Sequence, residues 1–160
     1  TYYPSKLVLD GHEYSSAAQY VMAEQARIFG DDKRLHELLQ ANDAPAPHKL
    51  FDHKAPKTGQ RRLAGYDSEV WEEHRDRIMW RATLEKFRQN AHLQQKLLQL
   101  GSRQVVEATD DPFWGSGVLF GSDGDDDPQK WTGCNRMGKL LTAVALRIRA
   151  EQSEAGALHT

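Results

Sequence analysis

The stretch YSSAAQYVMAEQARIFGD combines a well-formed helix start with an apolar residue where catalysis would use an acid. Ser16 followed three residues later by Gln19 forms a capping box, which predicts a helix that begins at Ala17. Position 18 then lies in the first turn, where unpaired amide groups and the helix dipole stabilise a carboxylate. The residue there is Ala18, so the first turn lacks the carboxylate that its amides would stabilise.

A second group of chemically useful residues follows Glu107, in the run EATDDPFWGSG. Asp111 stands three residues before Trp114, and Gly115 and Gly117 follow at once. Glycines let a backbone approach a ligand closely, and an aromatic ring can hold a flat heterocycle by stacking. We therefore favour a functional loop over a purely structural turn, with Glu107 as its structural member.

The run WTGCNRMGK from Trp131 to Lys139 marks the start of the last predicted helix. Asn135 can cap that helix, and a helix N-terminus is also a prepared site for phosphate, with Gly138 keeping the first turn accessible. The two interpretations are compatible. Cys134 has no base or partner cysteine nearby in sequence, so we expect it to be inert.

Two further features each leave two interpretations open. Trp71 lies on one helix face with Arg75, where a tryptophan is commonly a core residue but can also be a stacking platform. The segment His48 to Arg62 carries five lysines and arginines against one acid, Asp52. It is either a solvated surface loop or a basic flap that meets a phosphate-bearing substrate.

Several classes of site lack their signatures. The acidic run from Ser122 to Pro128 does not fit a calcium loop, because Pro128 replaces the required glycine and Cys134 replaces the closing glutamate. One cysteine cannot form an internal disulfide, and the seven histidines have no cysteine partners for zinc. Walker, G-x-S-x-G, H-E-x-x-H and dinucleotide-binding motifs are also absent from the sequence. We expect no cofactor and no structural metal.

Composition sets the broad class. The 160 residues, 39% of them hydrophobic, predict one domain, over residues 1–149 with a frayed tail at 150–160. A formal net charge of −2 argues against a protein that mainly grips nucleic acid through phosphates. We see neither a signal peptide nor a membrane-spanning run, so we expect an intracellular protein, cytoplasmic or nuclear, without membrane contact.

The elements that must position these residues are mostly helical. Asp10-Gly11 between short apolar strands predicts a hairpin ahead of the first helix, which should end near Gly30. Helical spacing then predicts a short helix after Asp31, a long one after Asp67, one after Asn90 and one after Asn135. Residues 104–108 and 114–120 are expected to be extended. The fold class is therefore a predominantly α, single compact domain of five or six helices.

These motifs, taken in order, resemble the NADAR superfamily of N-glycosidases. The first helix is similar to the family's Y-x-S-A-E-Q-Y-M-M-A-E-K-A-x-x-F-G-D, with Ala18 at the family's catalytic glutamate and Gln25 at its usual lysine. The loop before Trp114 resembles E-A-S-P-x-D-x-x-W-G-x-G with one residue deleted, and the run from Trp131 resembles W-x-G-x-N-x-L-G-K.

The resemblance implies cleavage by water of a C–N bond at a ribose carbon, through an oxocarbenium-like transition state. It implies that position 18 carries the catalytic carboxylate, that Asp111 supports ribose or water, and that Trp71 and Trp114 stack on the base. Asn135 and Gly138 would receive the phosphates. Further residues expected to bind substrate are Tyr3, Ser16, Gln19, Tyr20, Lys49, Gly115, Gly117 and Trp131.

Two substrate classes compete within the family. One is ADP-ribose attached to guanine in nucleic acid, and the other is the ribosylamino-pyrimidine intermediates of riboflavin biosynthesis. The form of the first helix and the basic segment favour the first class, with a transient nucleic-acid contact through His48 to Arg62. A non-catalytic ADP-ribose-binding module is a third alternative. The intact neighbours of Ala18 favour a substitution introduced into an active enzyme over a natural inactive relative.

Overall fold

A computed structural model describes residues 4–41 and 63–157. The chain divides into two compact units, Thr1–Ala91 and His92–Thr160. Within the described residues there are five α-helices, one short 3₁₀ helix and one hairpin. We number the elements β1 (Leu7–Leu9), β2 (His12–Tyr14), α1 (Ala17–Ile28), α2 (Asp32–Gln40), α3 (Ser68–Gln89), α4 (Ala91–Gln99) and α5 (Arg136–Ala157), with the 3₁₀ helix at Pro128–Lys130.

The first unit opens with the hairpin that Asp10-Gly11 predicts. β1 and β2 pair antiparallel with Leu7 opposite Tyr14. Asp10 and Gly11 both have positive φ angles, 52° and 77°, which is the backbone of the tight turn that suits twisted strands. The inward side chains Leu7, Leu9 and Tyr14 are buried, so the hairpin supplies part of the core beneath α1.

Helix α1 lies at the centre of the first unit. It packs against α2 and α3, and its side chains are buried on several sides. The ring of Phe29 lies 5.1 Å from that of Tyr66, while the Arg81 guanidinium reaches the Tyr20 hydroxyl at 3.2 Å. These two ties show that α3 runs antiparallel to α1, which brings residues near the start of α3 level with the end of α1.

The second unit consists mainly of α4, a long irregular segment and α5. Arg149 on α5 donates to the carbonyl oxygens of Leu98 and Gly101 at 3.0 and 3.3 Å, which satisfies the end of α4. Gly101 has the positive φ, 63°, of a residue that closes a helix. The irregular segment between the two helices folds against the start of α5 through backbone hydrogen bonds.

The predominantly α class, the helix count and the N-terminal hairpin are confirmed. Residues 104–108 and 114–120 were expected to be extended, but neither forms a strand; among the described residues, strands occur only in the hairpin. The backbone of Val105 and Glu107 hydrogen-bonds to the Asn135 side chain rather than to a neighbouring strand.

Helix α5 also continues past the expected end near Arg149, to Ala157. An Arg147–Glu151 pair at 2.7 Å supports the added turns. Within the described ranges no helix has the length and apolar character that crossing a membrane would require.

Candidate functional site

Ser16 caps α1 as the sequence predicts. Its backbone is extended, and its hydroxyl oxygen accepts from the Gln19 amide at 3.1 Å. The returning half of the capping box differs in detail, because Gln19 Oε1 accepts from the backbone and hydroxyl of Ser15, at 2.6 and 2.8 Å. The cap is therefore tied to the residue before it, which fixes the path of the chain from β2 into α1.

Gln19 uses all of its hydrogen-bonding capacity inside the protein. Beyond the two bonds to Ser15, its Nε2 donates to the carbonyl oxygens of Leu38 and Ala41 at 2.6 and 3.0 Å. The side chain is 1% exposed. These contacts give Gln19 the role of joining the start of α1 to the end of α2, and its direct contact with substrate stays a prediction.

Position 18 is completely buried in the first turn of α1. Ala17 and Ala18 are both 0% exposed, and the first turn holds no acidic residue. In the described part of the chain, no group accepts a hydrogen bond from the amide of either alanine. The start of α1 therefore has uncompensated donors next to the position where the resemblance expects a carboxylate.

Tyr20 belongs to a polar network on another face of α1. Arg81 donates to both carboxylate oxygens of Asp10, at 2.9 and 2.7 Å, and to the Tyr20 hydroxyl at 3.2 Å. The hydrogen bond from Arg81 lowers the pKa of Asp10, and burial raises the pKa of the Tyr20 phenol. Tyr20 also packs edge-on against Tyr14. The network ties the hairpin to α1 and α3.

Trp71 is a buried residue and presents no open ring face. It is 1% exposed, which agrees with the core interpretation rather than with a platform. Its indole Nε1 is fully buried and finds no hydrogen-bond acceptor among the described residues. A buried donor without a partner carries a free-energy cost, and contact of Trp71 with a base stays a prediction.

In the second unit, Asp111 shapes the loop that carries Trp114. One of its carboxylate oxygens accepts from the amides of Phe113 and Trp114, at 2.8 and 2.9 Å. The Asp111 carbonyl accepts from Gly115 at 3.0 Å. This arrangement is a tight turn closed by an acidic side chain. One carboxylate oxygen is committed to the turn, and the residue is half-exposed.

The glycines of this loop serve backbone packing. A Cβ on Gly115 would lie 2.9 Å from the Asp111 carbonyl oxygen, and one on Gly133 would lie 2.6 Å from that of Gly115. Gly117 has a φ of 75° and lies directly against Thr132. The close approach that the sequence indicated is therefore between two stretches of backbone. Contact of Gly115 or Gly117 with a ligand stays a prediction.

Asn135 and Gly138 join the loop to the start of α5. Asn135 has a φ of 46°, donates to the Val105 carbonyl at 2.9 Å and accepts from the Glu107 amide at 3.0 Å. A Cβ on Gly138 would collide with the Val105 carbonyl oxygen and lie 2.6 Å from the Asn135 amide. Both residues thus hold a neighbouring segment, and a phosphate contact stays a prediction.

Loop carbonyls accept from the residues that lead into α5 and from its first turn. The amides of Gly133, Cys134 and Asn135 donate to Ser116, Pro112 and Gly115, at 2.7, 2.8 and 2.7 Å. The Met137 amide donates to the Trp114 carbonyl at 3.0 Å. In this conformation these donors are not available to an anion.

The aromatic residues of the second unit are partly covered. Trp114 is 7% exposed and packs edge-on against Phe113, whose ring lies 4.5 Å from the Arg136 guanidinium carbon. Trp131 is half-buried and donates from its indole nitrogen to the Asp125 carbonyl at 3.2 Å. Stacking of either tryptophan on a base stays a prediction.

Some predicted residues cannot be assigned a location. Tyr3, Lys49 and the basic segment His48 to Arg62 lie outside the described residues. Ser16, Ala18, Gln19, Tyr20 and Trp71 all belong to the first unit, whereas Asp111, Trp114, Gly115, Gly117, Trp131, Asn135 and Gly138 belong to the second. Sequence reasoning missed the tie between Asp10 and Arg81, because the two are 71 residues apart in the chain and the hairpin motif of Asp10 says nothing about its partner.

Comparison with known proteins identifies the family. The NADAR domain model matches residues 2–149. The chain is 31% identical over 143 residues to "N-glycosidase R617" of Acanthamoeba polyphaga mimivirus, covering 89% of this chain and 76% of that protein. It is 28% identical over 141 residues to "Protein irg-1" of Caenorhabditis elegans, covering 88% of this chain and 63% of that protein.

A solved structure has a similar fold. The NMR structure of the E. coli protein YbiA superposes with a TM-score of 0.69 at 23% identity, over 96% of this chain and 78% of YbiA. This protein is a member of the NADAR family, which supports N-glycosidase chemistry.

Proposed function

We propose that the active form of this chain hydrolyses the N-glycosidic bond between ADP-ribose and a guanine base in nucleic acid, and that Ala18 impairs turnover here. The observation that carries the proposal is the first turn of α1. It is buried, has two amides without described acceptors and holds no acid. These features suit a carboxylate that the present residue does not supply.

Hydrolysis of an N-glycosidic bond is helped by such a carboxylate. Water is a poor nucleophile towards a ribose carbon, and the transition state develops positive charge on the sugar. A glutamate at position 18 would accept a proton from water or face that positive charge. Burial would raise its pKa towards neutrality, while the helix dipole and the nearby amides would oppose a complete loss of charge.

The substrate class follows from two sequence features. The first helix has the form associated with ADP-ribosyl-guanine, and the segment from His48 to Arg62 has the charge to contact nucleic-acid phosphates. Asp111 is the residue we assign to the ribose or the attacking water, and Trp114 is the one we assign to the base, since Trp71 is buried. The ligand is then ADP-ribosylated guanine, with no metal in the reaction.

The proposal is tested with an oligonucleotide that carries ADP-ribosyl-guanine. We expect slow release of ADP-ribose by this chain and an increase of about 10²- to 10⁴-fold for Ala18→Glu. Because Ala18 is fully buried, thermal unfolding of both proteins must show that the larger side chain is accommodated. Equal rates for two well-folded proteins would contradict the role of position 18.

Other substrates give distinct results. Activity of Ala18→Glu on a ribosylamino-pyrimidine intermediate alone would reassign the substrate to riboflavin biosynthesis. Saturable binding of ADP-ribose without turnover by Ala18→Glu would indicate a binding module. With Ala18 in place, a binding module and an impaired enzyme would both bind ADP-ribose without turnover. The measurement on Ala18→Glu therefore decides between the two.

A further inference from the structure

Two side chains at the end of α3 hold the outer edge of the hairpin. The Gln89 carboxamide accepts from the Val8 amide at 2.7 Å and donates to the Val8 carbonyl at 2.9 Å. Asn90 donates to the Lys6 carbonyl at 2.9 Å. A carboxamide carries an acceptor and a donor side by side, so Gln89 bonds to β1 as a neighbouring strand would. We call Gln89 and Asn90 the hairpin clamp.

A neighbouring acid fixes which way the Gln89 amide points. Glu85, one turn earlier on α3, accepts from Gln89 Nε2 at 3.1 Å, and Arg88 donates to the other oxygen of Glu85 at 2.6 Å. A carboxylate only accepts hydrogen bonds, so it selects the amide nitrogen and leaves the amide oxygen for Val8. Helix α3 therefore presents the carboxamide in the orientation that the edge of β1 requires.

The hairpin needs this support and passes it on to α1. Its two strands have three residues each, and a two-stranded hairpin is marginal on its own in water. β2 ends at Tyr14, and the next residue, Ser15, bonds to Gln19 and accepts from the Ser5 amide at 3.0 Å. Ser16 then caps α1. A shift of the hairpin would therefore displace the start of α1.

Position 18 lies two residues after the cap, so its place depends on the path of the chain out of the hairpin. A misplacement of about 1 Å in a reacting group can cost about 10²-fold in rate. We infer that Gln89, together with Asn90, is a positioning residue that holds position 18 in place through the hairpin. The effect on turnover rests on the proposed function, whereas the hold on the start of α1 is measurable without it.

Hydrogen exchange followed by mass spectrometry tests the hold in the present chain. Gln89→Met keeps an unbranched side chain and a good helix former but removes the bonds of the carboxamide. We expect faster exchange over residues 14–19 for this variant. Asp67→Ala is the matched control, since it removes two exposed side-chain bonds, to the amides of Glu69 and Val70, at the other end of α3. Exchange over residues 14–19 no faster than in the control would overturn the inference.

Turnover tests the consequence in the Ala18→Glu background, with an oligonucleotide that carries ADP-ribosyl-guanine and at temperatures well below unfolding. We expect Gln89→Met to lower kcat about tenfold with KM nearly unchanged, because the displaced carboxylate acts in the transition state. Asp67→Ala should change kcat by less than about twofold.

Three kinetic results would overturn the inference. An equal fall in kcat for Gln89→Met and Asp67→Ala would indicate a general loss of stability. A rise in KM at unchanged kcat would make Gln89 a binding residue. Faster exchange with unchanged kcat and KM would show that the clamp holds the chain without positioning the carboxylate.

The two proposals fail in different ways. If Ala18→Glu hydrolyses the oligonucleotide and Gln89→Met changes neither exchange nor kcat, the positioning role is wrong and the proposed function stands. If Ala18→Glu is inactive while Gln89→Met speeds exchange over residues 14–19, the proposed function is wrong. The hold on α1 then stands, and its role in turnover falls with the function.

Discussion

The starts of α1 and α5 differ in how the chain around them is held. The three residues before α5, which are Gly133, Cys134 and Asn135, donate to carbonyls of the loop at residues 112–116, and so does the first-turn amide of Met137. At α1, Ser16 accepts from Gln19, and the amides of Ala17 and Ala18 have no acceptor in the described chain. Loop contacts therefore hold the start of α5 for folding, whereas the start of α1 has donors without described acceptors beside position 18, which suits a carboxylate.

The largest loss of stability is expected for a change at Asn135, which leads into α5. Asn135→Ala removes two buried hydrogen bonds and leaves a Cβ-bearing residue at a φ of 46° without the side chain that tolerates it. We expect a loss of about 2 to 4 kcal/mol in the free energy of unfolding, measured by urea denaturation.

Asn135→Gly is the matched control for that measurement. It loses the same two hydrogen bonds but accepts the positive φ, so it should lose less stability than Asn135→Ala. A loss below about 0.5 kcal/mol for both variants would show that Asn135 does not hold the loop, and it would reopen a direct ligand role.

A smaller loss of stability is expected when a side chain is placed in the close contact between Gly138 of α5 and the backbone of Val105. Gly138→Ala puts a Cβ against the Val105 carbonyl, so the segment before Glu107 must shift. We expect about 1 to 3 kcal/mol of destabilisation by thermal or urea unfolding. Gly156→Ala, on the same helix with no atom within 4 Å of the new Cβ, is the matched control and should be neutral or slightly stabilising.

At α1 the Ser16 cap is expected to contribute about 1 kcal/mol to the free energy of unfolding. Ser16→Ala removes the acceptor for the Gln19 amide and should destabilise the chain by this amount, whereas Ser16→Thr should keep most of it. Urea denaturation of both variants measures the difference. Equal loss for alanine and threonine would mean that volume at this buried position, rather than the cap, is what matters.

The smallest effect is expected for the pair of Asp10 and Arg81, because both side chains are well exposed. Arg81 lowers the pKa of Asp10 below its ordinary value of 3.8. The stabilisation is therefore present above pH 3.8 and is lost as the pH falls through the lower pKa of the folded state.

Asp10→Asn should reduce stability by less than about 1 kcal/mol at neutral pH, and the difference from the unsubstituted chain should vanish in acid. Urea denaturation across the pH range provides the measurement. A difference that grows towards low pH would have the wrong sign for this pair.

Local patterns predicted most of the fold. The capping box fixed the first residue of α1, and Asp10-Gly11 fixed the hairpin, because both depend on neighbours in sequence. The prediction that residues 104–108 and 114–120 are extended was wrong. Their hydrogen bonds go to Asn135 and to loop carbonyls rather than to a neighbouring strand. The end of α5 was missed because its last turns depend on polar side-chain pairs rather than on apolar periodicity.

The site was predictable in part for the same reason. The motifs select candidate residues whose contact with a substrate stays a prediction, and the protein partners of Gln19, Asn135 and Gly138 follow from tertiary contacts. The burial of Trp71 likewise follows from its packing rather than from its motif.

The central claim is that a carboxylate belongs at position 18, in the first turn of α1. The most direct test compares ADP-ribose release from an ADP-ribosyl-guanine oligonucleotide by the present chain, Ala18→Glu and Ala18→Gln. The two variants add side chains of nearly equal size, and the carboxylate is what distinguishes them. We expect Ala18→Glu to be faster than both others by about 10²- to 10⁴-fold. Equal rates for the glutamate and glutamine variants would contradict the account.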